Sequence, residues 1–265
     1  MPHWSETLSK ENADLYARDF ELGMAWVTRD VPILAQLLTE LGIGAGSLLL
    51  DAPCGNGRWG VELASHGYHV EGLDFSAPFV KAARKKASER GFSASCRFTH
   101  GDMRETATIY RNRSFDAVLN LFTSLGYYDD ETDLNILTQF REVTRNGGYL
   151  IIDHANRDYF ARNFRPVGFV DFGDIVRNEA RALNQETSRM EVTWTYYRKQ
   201  GENLIHLKTI RFDHRLYNLH EMKRLLADSG WTLKAHYSGF DKTPYNWNMN
   251  RMVLIAENQQ SLELY

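Results

Sequence analysis

The sequence predicts an α/β fold: a doubly wound, mostly parallel sheet with an antiparallel β insertion. Two observations predict it. From residue 47 to residue 153, short apolar segments alternate with longer segments of helical periodicity, as in successive βαβ units. Over residues 170–215 the alternation gives way to β-branched and aromatic residues with period-two patterning, which is typical of antiparallel strands.

Two helices are predicted before the first strand. Residues 11–22 carry apolar side chains at helical spacing. In the second helix we expect Asp30 to be the N-cap and Pro32 to lie in the first turn, where its missing N–H costs no hydrogen bond. Leucines then recur at helical spacing until Gly42. We expect residues 1–46 to form a helical cap on the sheet.

The parallel sheet and its helices follow in order. Strands are expected near residues 47–51, 69–73, 95–99, 115–121 and 148–153, and helices near 57–66, 77–90 and 130–144. After the insertion, a helix is predicted over 219–228, and two last strands near 231–238 and 251–257. Because no Pro/Ser-rich linker marks a boundary, residues 1–265 are predicted to form a single domain.

Composition excludes several classes of protein. Thirty-one Lys and Arg against 34 Asp and Glu give a net charge of −3, which argues against nucleic acid as a partner. Two cysteines cannot form a disulfide framework, and no His/Cys/carboxylate cluster has metal-ligand spacing, so no metal is predicted. The start lacks the pattern of a secretory signal, and the longest apolar run is too short to span a membrane. We therefore expect a cytoplasmic protein.

Polar segments follow four successive predicted strands. These segments are LLLDAPCGNGRWG at 48–60, VEGLDFS at 70–76, GDM at 101–103 and FDAVLNLFTSLGY at 115–127. The carboxyl ends of parallel strands meet at one edge of a sheet, where open α/β sheets bind ligands. Asp74 lies 23 residues beyond Asp51, close to the spacing at which an acidic residue holds ribose hydroxyls. The sequence therefore predicts a ligand site at this edge.

Gly55, Gly57 and Gly60 also spell the G-x-G-x-x-G pattern of dinucleotide-binding loops. Four residues, Asp51 to Cys54, separate the strand from the first glycine. A pyrophosphate would meet the Asp51 carboxylate at close range, which is unfavourable. The loop better suits a ligand with a cationic or neutral centre. S-adenosylmethionine, with a ribose, an adenine and a sulfonium but no phosphate, has that character.

Taken in order, the D-x-P-C-G-x-G loop, the Asp74 strand end, GDM and the 115–127 strand resemble class I S-adenosylmethionine-dependent methyltransferases. The resemblance covers residues 30–258 and implies a seven-stranded, Rossmann-like sheet whose last strand, 252–257, is antiparallel. It also implies the cofactor-binding residues. Asp51 and the loop Gly55, Asn56 and Gly57 would hold the amino-acid tail; Asp74, Phe75 and Ser76 the ribose and adenine; Asp102 and Met103 the adenine edge; Asn120 and Leu121 the sulfonium.

A β insertion after the fifth strand is similar to small-molecule N-methyltransferases, including glycine/sarcosine and amino-sugar methyltransferases. This narrower resemblance implies a small-molecule acceptor, most simply an amine. His154 and Tyr127 lie at the expected active edge and are the candidates for orienting or deprotonating the nucleophile. His206 and His214 are expected to be structural, and Cys54 to be a buried loop residue.

Three other functions stay open on the sequence alone. The acceptor could be a macromolecule, as in tRNA or protein methyltransferases. The glycine loop could belong to an NAD-dependent oxidoreductase. The chain could also be a non-catalytic module that binds S-adenosylmethionine and transfers nothing. The cofactor that co-purifies and an acceptor screen distinguish them.

The insertion carries one apolar face. Met190, Val192, Trp194 and Tyr196 alternate with polar residues, and Ile205 and Leu207 continue the alternation after a turn near Gly201. An isolated hairpin is marginal in water, so this face must pack on something. We expect it to cover the substrate side of the cofactor or to form a homodimer contact. Trimming the tip at 197–204 or changing Trp194 should impair methyl transfer, whereas Gly57→Val should abolish cofactor binding with little loss of the fold.

Overall fold

The computed structural model describes residues 7–259. The outer ends of the predicted cap and of the predicted single domain, residues 1–6 and 260–265, lie outside the described residues. The strands are β1 (Leu48–Asp51), β2 (His69–Asp74), β3 (Cys96–His100), β4 (Phe115–Asn120), β5 (Thr144–Ala155), β6 (Val167–Asp171), β7 (Ile175–Asn184), β8 (Arg189–Gln200), β9 (Asn203–Arg215), β10 (Thr232–Tyr237) and β11 (Arg251–Glu257). The α-helices are α1 (Ala13–Leu22), α2 (Met24–Glu40), α3 (Arg58–Ser65), α4 (Ala77–Glu89), α5 (Thr106–Ile109), α6 (Asp130–Val143), α7 (Arg157–Arg162) and α8 (Leu219–Asp228).

The main sheet has seven strands in the order β10-β11-β5-β4-β1-β2-β3. The strands β1 to β5 pair in parallel, and β11 runs antiparallel to both β5 and β10. The predicted sheet, with its antiparallel last strand, is therefore confirmed. The chain adds β2 and β3 on one side of β1 and then crosses to β4 on the other. Such a switch point opens a crevice at the carboxyl ends of β1 and β4, where ligands bind in this class of sheet.

Alternating apolar residues give the sheet two buried faces. Adjacent residues Leu49 and Leu50, for example, belong to different core clusters on opposite faces. The first cluster includes residues of α2, α3 and α4, and the second includes residues of α6 and α8. Because both faces are covered by helices, the strand ends are the part of the sheet that remains available for chemistry.

The second predicted helix was placed wrongly. It begins at Met24, and Pro32 lies inside it and not in its first turn. A proline inside a helix removes one backbone hydrogen bond. The burial of Val27 and Val31 on either side of Asp30 adds packing energy that offsets this loss. Asp30 is consequently a residue of the helix interior, and its carboxylate is held by arginines instead of capping the helix.

The insertion forms its own antiparallel sheet in the order β6-β7-β8-β9. It begins at Val167, three residues before the predicted boundary, because β6 adds an edge strand. The expected inward face of β8 is confirmed for Met190, Val192 and Tyr196, which are buried. For Ile205 the expectation was wrong, since its side chain is 47% exposed. A β-bulge at Tyr196/Tyr197 shifts the register, and Ile205 pairs with Arg198 on the same face as Tyr196. Ile205 is nevertheless exposed because the tip, residues 198–206, is exposed on both faces and extends past the packed part of the sheet.

An arginine joins the N-terminal helix α2 to the far half of the sheet. Arg251, at the start of β11, donates from Nη2 to Asp153 at 2.9 Å and from Nη1 to Asp30 at 2.6 Å. Both carboxylates are buried. The three residues come from α2, β5 and β11, so this one ion-pair cluster fixes the cap against the sheet edge that carries the crevice.

Arg251→Met should lower the free energy of unfolding by about 3–5 kcal/mol, because it leaves two buried carboxylates without their main partner. Denaturant unfolding measures the effect. Arg224→Met is the matched control: Arg224 is 81% exposed and pairs only within its own helix, so its loss should cost less than about 0.5 kcal/mol. Equal stability of the two variants would show that Arg251 does not anchor the cap.

Candidate functional site

A cavity of about 190 Å³ lies in the crevice at the carboxyl ends of β1, β2 and β4. Its lining combines three parts of the chain. The strand ends contribute Asp51, Gly55, Asp74, Phe75 and Leu121; α1 contributes Tyr16 and Phe20; the insertion contributes Trp194, Phe212 and His214. The cap and the insertion sheet therefore cover the edge of the sheet that the sequence predicted to be the ligand site.

Asp74 organises the floor of this cavity. Its two carboxylate oxygens accept hydrogen bonds from the backbone N–H groups of Gly55 and Ser76, each at 2.8 Å. Ser76 in turn caps α4 and donates from its hydroxyl to the carbonyl of Ser9. Burial raises the pKa of Asp74 to about 6, although these backbone hydrogen bonds favour the charged form. One carboxylate thus holds the glycine loop, the start of α4 and the N-terminal segment together.

Asp51, at the end of β1, is also buried on this cavity, and its Oδ2 atom has no hydrogen-bond partner in the described part of the chain. Burial raises its pKa to about 7, and the nearby charge of Arg58 opposes the shift. A buried acceptor without a partner costs about 1–3 kcal/mol, which indicates that a ligand supplies the missing donor. At the ends of β1 and β2, Asp51 and Asp74 favour a cationic group over a phosphate, while Arg58 adds one positive charge to the same cavity.

Gly55 and Gly57 of the glycine loop differ in position, and glycine is required at 57 for packing. Gly55 lines the cavity with a φ of +54°, whereas Gly57 lies outside the lining with a φ of +72°. A Cβ atom on Gly57 would lie 2.7 Å from Cβ of Ala83 and 2.9 Å from Cζ of Phe98. The close approach of α3 to α4 and β3 therefore requires glycine at 57. The expectation that Gly57→Val spares the fold is therefore wrong. Asn56, like Gly57, lies outside the lining of the cavity.

A narrow cleft extends from the cavity between Phe75, Asp102, Met103, Tyr127 and Tyr128. The Asp102 carboxylate accepts hydrogen bonds from the backbone and the guanidinium of Arg104, at 2.9 and 2.6 Å. Burial acts to raise the pKa of Asp102, but these hydrogen bonds hold it below its usual range. The predicted adenine residues are therefore brought together. Asp102 would share its oxygens between Arg104 and a ligand.

The segment after β4 separates this cavity from a second one. Asn120 donates from Nδ2 to the carbonyl of Ala52 and so ties β4 to the glycine loop. Phe122 and Thr123 then adopt φ values of 60° and 58°. Such conformations cost energy for non-glycine residues. Asp153 offsets this cost by accepting hydrogen bonds from both backbone N–H groups, through its side chain and its carbonyl respectively.

The second cavity has a volume of about 460 Å³ and shares Trp59, Phe122 and Thr123 with the first. At this cavity the side chains of Trp26 and Phe122 are exposed, with ring centroids 6.5 Å apart. Aromatic side chains that line a concave surface are typical of ligand sites. This cavity offers room next to the strand ends for a second molecule.

The two catalytic candidates differ in position. Tyr127 lines the first cavity, where its hydroxyl hydrogen-bonds with Ser124 and Tyr16, and burial raises its pKa to about 12. His154 lines the second cavity. Its Nδ1 lies 2.8 Å from the Ala155 carbonyl and its Nε2 lies 3.1 Å from the Leu125 carbonyl. Burial lowers the pKa of His154, so its ring is neutral near pH 7.

Sequence reasoning missed several residues of the lining. His214, expected to be structural, lines the first cavity, and its Nε2 donates to the Leu125 carbonyl at 2.9 Å. Burial lowers its pKa to about 3. Tyr16 and Phe20 also line it, although the sequence offered only their helical spacing as a signal. Burial raises the pKa of Tyr16 well above its usual value, so this phenol is neutral as well.

The cap and the insertion sheet are joined over the cavity. Arg177 of β7 is buried, pairs with Asp19 of α1 at 2.5 Å and lies 3.8 Å above the ring of Trp194. Arg18 and Asp174 form a second ion pair between the same elements at 2.6 Å. These contacts fix the relative position of the two elements that enclose the cavity.

Within residues 7–259, no group of three or more His, Cys, Asp or Glu side chains is arranged to hold a metal ion. No helix in the same part of the chain is both long and apolar enough to cross a membrane.

Comparisons with known proteins agree with this geometry. Residues 49–148 match a family model described as a methyltransferase domain. The chain is 30% identical over 171 residues to dTDP-3-amino-3,6-dideoxy-alpha-D-glucopyranose N,N-dimethyltransferase of Streptomyces fradiae, a match that spans 62% of each protein. It is 26% identical to glycine/sarcosine N-methyltransferase of Aphanothece halophytica, over 74% of this chain and 70% of that one.

Solved structures show the same fold. A S-adenosylmethionine-dependent methyltransferase from Clostridium acetobutylicum ATCC 824 superposes with a TM-score of 0.78 at 13% identity, covering 93% of this chain and all of that one. The sugar N-methyltransferase KedS8 from Streptoalloteichus sp ATCC 53650 gives 0.70 at 20% identity, with 91% and 92% coverage. The predicted Rossmann-like methyltransferase fold is therefore confirmed.

Gly57→Val should destabilise the protein by at least about 2 kcal/mol, because overpacking adds to the strain of a positive φ. Gly91→Val is the matched control, since Gly91 also has a positive φ but a Cβ there would meet nothing within 4 Å. Thermal and denaturant unfolding compare the two variants. If both lose the same stability, the packing of Gly57 against Ala83 and Phe98 contributes nothing.

Proposed function

We propose that this chain, a class I S-adenosylmethionine-dependent methyltransferase, transfers a methyl group to the amine of a small molecule. The observation that carries the proposal is the enclosed cavity at the switch point, with an unpartnered Asp51 oxygen beneath it and neutral phenols beside it. The relatives named above support the acceptor class, since two of them carry N-methyltransferase names.

The residues present fit S-adenosylmethionine. The Asp51 carboxylate would accept from the ammonium of the amino-acid tail, beside the backbone of Gly55. Asp74 would accept from the ribose hydroxyls, and Phe75, Asp102 and Met103 would surround the adenine. Leu121 would lie by the sulfonium. Asn56, Gly57, Ser76 and Asn120 would shape the site from outside the lining: Ser76 and Asn120 hold its loops by hydrogen bonds. When bound, the cofactor supplies an electrophilic methyl group.

The same geometry disfavours an NAD-dependent oxidoreductase. A pyrophosphate on the glycine loop would lie against two buried carboxylates, Asp51 and Asp74. In a buried site the repulsion between like charges is screened far less than in water. Next to these two carboxylates the site favours a positive centre, whereas the Arg58 guanidinium on the same cavity is, in the described part of the chain, the one place in its lining that suits an anionic group.

The protein contributes to methyl transfer by positioning the acceptor amine and by excluding water from the site. Tyr127 and Tyr16 are neutral, so each hydroxyl oxygen can accept a hydrogen bond from an amine N–H and turn the nitrogen lone pair toward the methyl group. Burial disfavours the ammonium form of the acceptor, and the lone pair is then free. Holding nitrogen about 3–3.5 Å from the methyl carbon supplies most of the rate.

His154 is placed to act through the loop after β4. Its ring contacts the Leu125 carbonyl, as does that of His214, and both histidines are neutral near pH 7. We propose Tyr127 as the group that contacts the acceptor and His154 as a residue that positions the loop. The second cavity, with Trp26 and Phe122, would hold the body of the acceptor. Homodimerisation through the insertion and a cytoplasmic location stay predictions.

An acceptor screen tests the proposal. The protein is incubated with S-adenosylmethionine and small primary and secondary amines, and S-adenosylhomocysteine formation is measured by mass spectrometry. Matched alcohols and carboxylic acids are the control acceptors. Methyl transfer to amines alone is the expected result. Transfer only to tRNA or protein would overturn the acceptor class, and cofactor binding without any transfer would identify a binding module.

Asp74→Ala should weaken S-adenosylhomocysteine binding by at least about tenfold, because a hydrogen bond to a charged group contributes about 1.5–3 kcal/mol. Loss of the hydrogen bonds from Gly55 and Ser76 should add to the effect by loosening the loop. Calorimetry measures the affinity. Unchanged affinity, or tight binding of NAD by the unaltered protein, would exclude the cofactor assignment.

Trp194→Ala should lower kcat/KM for the acceptor by at least about tenfold and leave S-adenosylhomocysteine affinity within about tenfold, or ~1.4 kcal/mol. Trp194 lines the cavity from the insertion, whereas residues 197–204 lie outside the lining, so we no longer expect trimming of this tip to impair methyl transfer. Leu204→Ala, at the exposed tip, is therefore the control and should leave turnover unchanged. If Trp194→Ala reduces only the melting temperature, the insertion has a packing role alone.

A further inference from the structure

Trp26 presents an exposed aromatic ring to the second cavity, the one that His154 lines. It lies in the first turn of α2, where the neighbouring Val27 is buried but Trp26 itself is 55% exposed. The ring of Phe122, which is 40% exposed, lies 6.5 Å from that of Trp26 at an interplanar angle of 37°. At this separation the two rings pack against each other, so a ligand ring would pack on the pair and not between them. Together the two rings form an aromatic wall of the cavity.

The Phe122 side of this aromatic wall is held in a strained conformation. Phe122 has a φ of 60°, which costs energy for a bulky residue. Its N–H donates to Oδ2 of Asp153 at 3.2 Å, and Asp153 is itself fixed by its ion pair with Arg251. Backbone strain that surrounding contacts hold in this way clusters at ligand-binding sites. The position of the Phe122 ring therefore indicates a ligand on the aromatic wall.

The charged side chains that line the second cavity compensate one another. They are two arginines and two aspartates: Arg29, Asp30, Asp153 and Arg251. Asp30 pairs with both arginines, and Asp153 pairs with Arg251. The ring of His154 is neutral near pH 7, because burial lowers its pKa. The lining of this cavity therefore combines exposed aromatic surface with a formal charge of zero.

This arrangement disfavours an acceptor with an anionic body. Phosphates and carboxylates are recognised by arginines whose paired donors are free. To bind Arg251 an anion would have to displace the buried carboxylates of Asp30 and Asp153, and breaking a buried ion pair is strongly destabilising. Arg29 is 65% exposed but lies against Asp30, whose negative charge repels an incoming anion. An uncharged body meets neither cost.

We propose that the acceptor is an arylalkyl amine, with its aromatic ring packed on Trp26 and Phe122, and that Trp26 selects it. The proposal rests on the proposed function and names the class of acceptor within it. Phe122 and Thr123 line both cavities. A ring on the aromatic wall therefore leaves the alkyl chain free to carry the amine into the first cavity, which Tyr127 also lines. Burial of apolar ring surface supplies the affinity.

A matched panel of acceptors tests the class. 2-Phenylethylamine has an aromatic body, phenylalanine adds a carboxylate to it, and glucosamine and UDP-glucosamine have polar bodies without and with anionic phosphates. S-adenosylhomocysteine formation gives kcat/KM for each acceptor. We expect the value for 2-phenylethylamine to exceed the other three by at least about tenfold. A higher value for any of the other three would overturn the proposal and leave the proposed function intact, because all four are amines.

Substitution of Trp26 tests its role in selection. Trp26→Ala should raise KM for 2-phenylethylamine by at least about tenfold and change kcat by less than about threefold, and Trp26→Phe should restore KM to within about threefold. Leu22→Ala is the matched control, since Leu22 is 51% exposed but lies outside the lining of both cavities. Equal KM values for Trp26→Ala and Leu22→Ala would overturn the proposal. Thermal unfolding checks that Trp26→Ala is folded; if it is not, Trp26→Leu carries the comparison.

Binding without transfer separates this proposal from the proposed function. Calorimetry measures the affinity of 2-phenylethylamine in the presence of S-adenosylhomocysteine, for the unaltered protein and for Trp26→Ala. A loss of at least about tenfold in the variant would uphold the aromatic site even if no amine is methylated, a result that would reject the proposed function alone. Equal affinity for the two proteins would overturn the aromatic site even if other amines are methylated.

Discussion

The buried carboxylate of Asp74 is the constraint on which the rest of the site depends. By accepting from the backbone of Gly55 and Ser76, it sets the path of the glycine loop and the start of α4. Through the Ser76 hydroxyl it also holds the N-terminal segment at Ser9. Burial opposes its ionisation and raises its pKa to about 6, so the arrangement costs free energy that the backbone hydrogen bonds offset only in part.

Enclosure of the cavity follows from contacts between distant segments. The cap brings Tyr16 and Phe20, the insertion brings Trp194, and the pair Asp19–Arg177 joins the two elements above the strand ends. The rings of Tyr16 and Trp194 form a further contact between the cap and the insertion. A methyl transfer needs a dry and rigid site more than it needs a strong acid or base. The neutral phenols and histidines around this cavity agree with that requirement.

The charges of the site are left uncompensated where a ligand would pair with them. The buried carboxylates of Asp30 and Asp153, by contrast, are both paired with Arg251. On the cavity, Oδ2 of Asp51 and Nε of Arg58 have no hydrogen-bond partner in the described part of the chain. Natural proteins break the rule of polar satisfaction mainly at functional sites. The contrast between the two clusters therefore distinguishes an anchor of the fold from a site that awaits a ligand.

Local patterns in the sequence are enough to predict the sheet, the glycine loop and the carboxylates at the strand ends. Strand alternation and turn chemistry are local, and the carboxyl ends of parallel strands must meet at one edge. The same patterns do not predict that Tyr16, His214 and Arg58 line the cavity, that Pro32 lies within a helix or that Ile205 faces solvent. These outcomes depend on packing, or its absence, between segments far apart in the chain, and no local pattern encodes it.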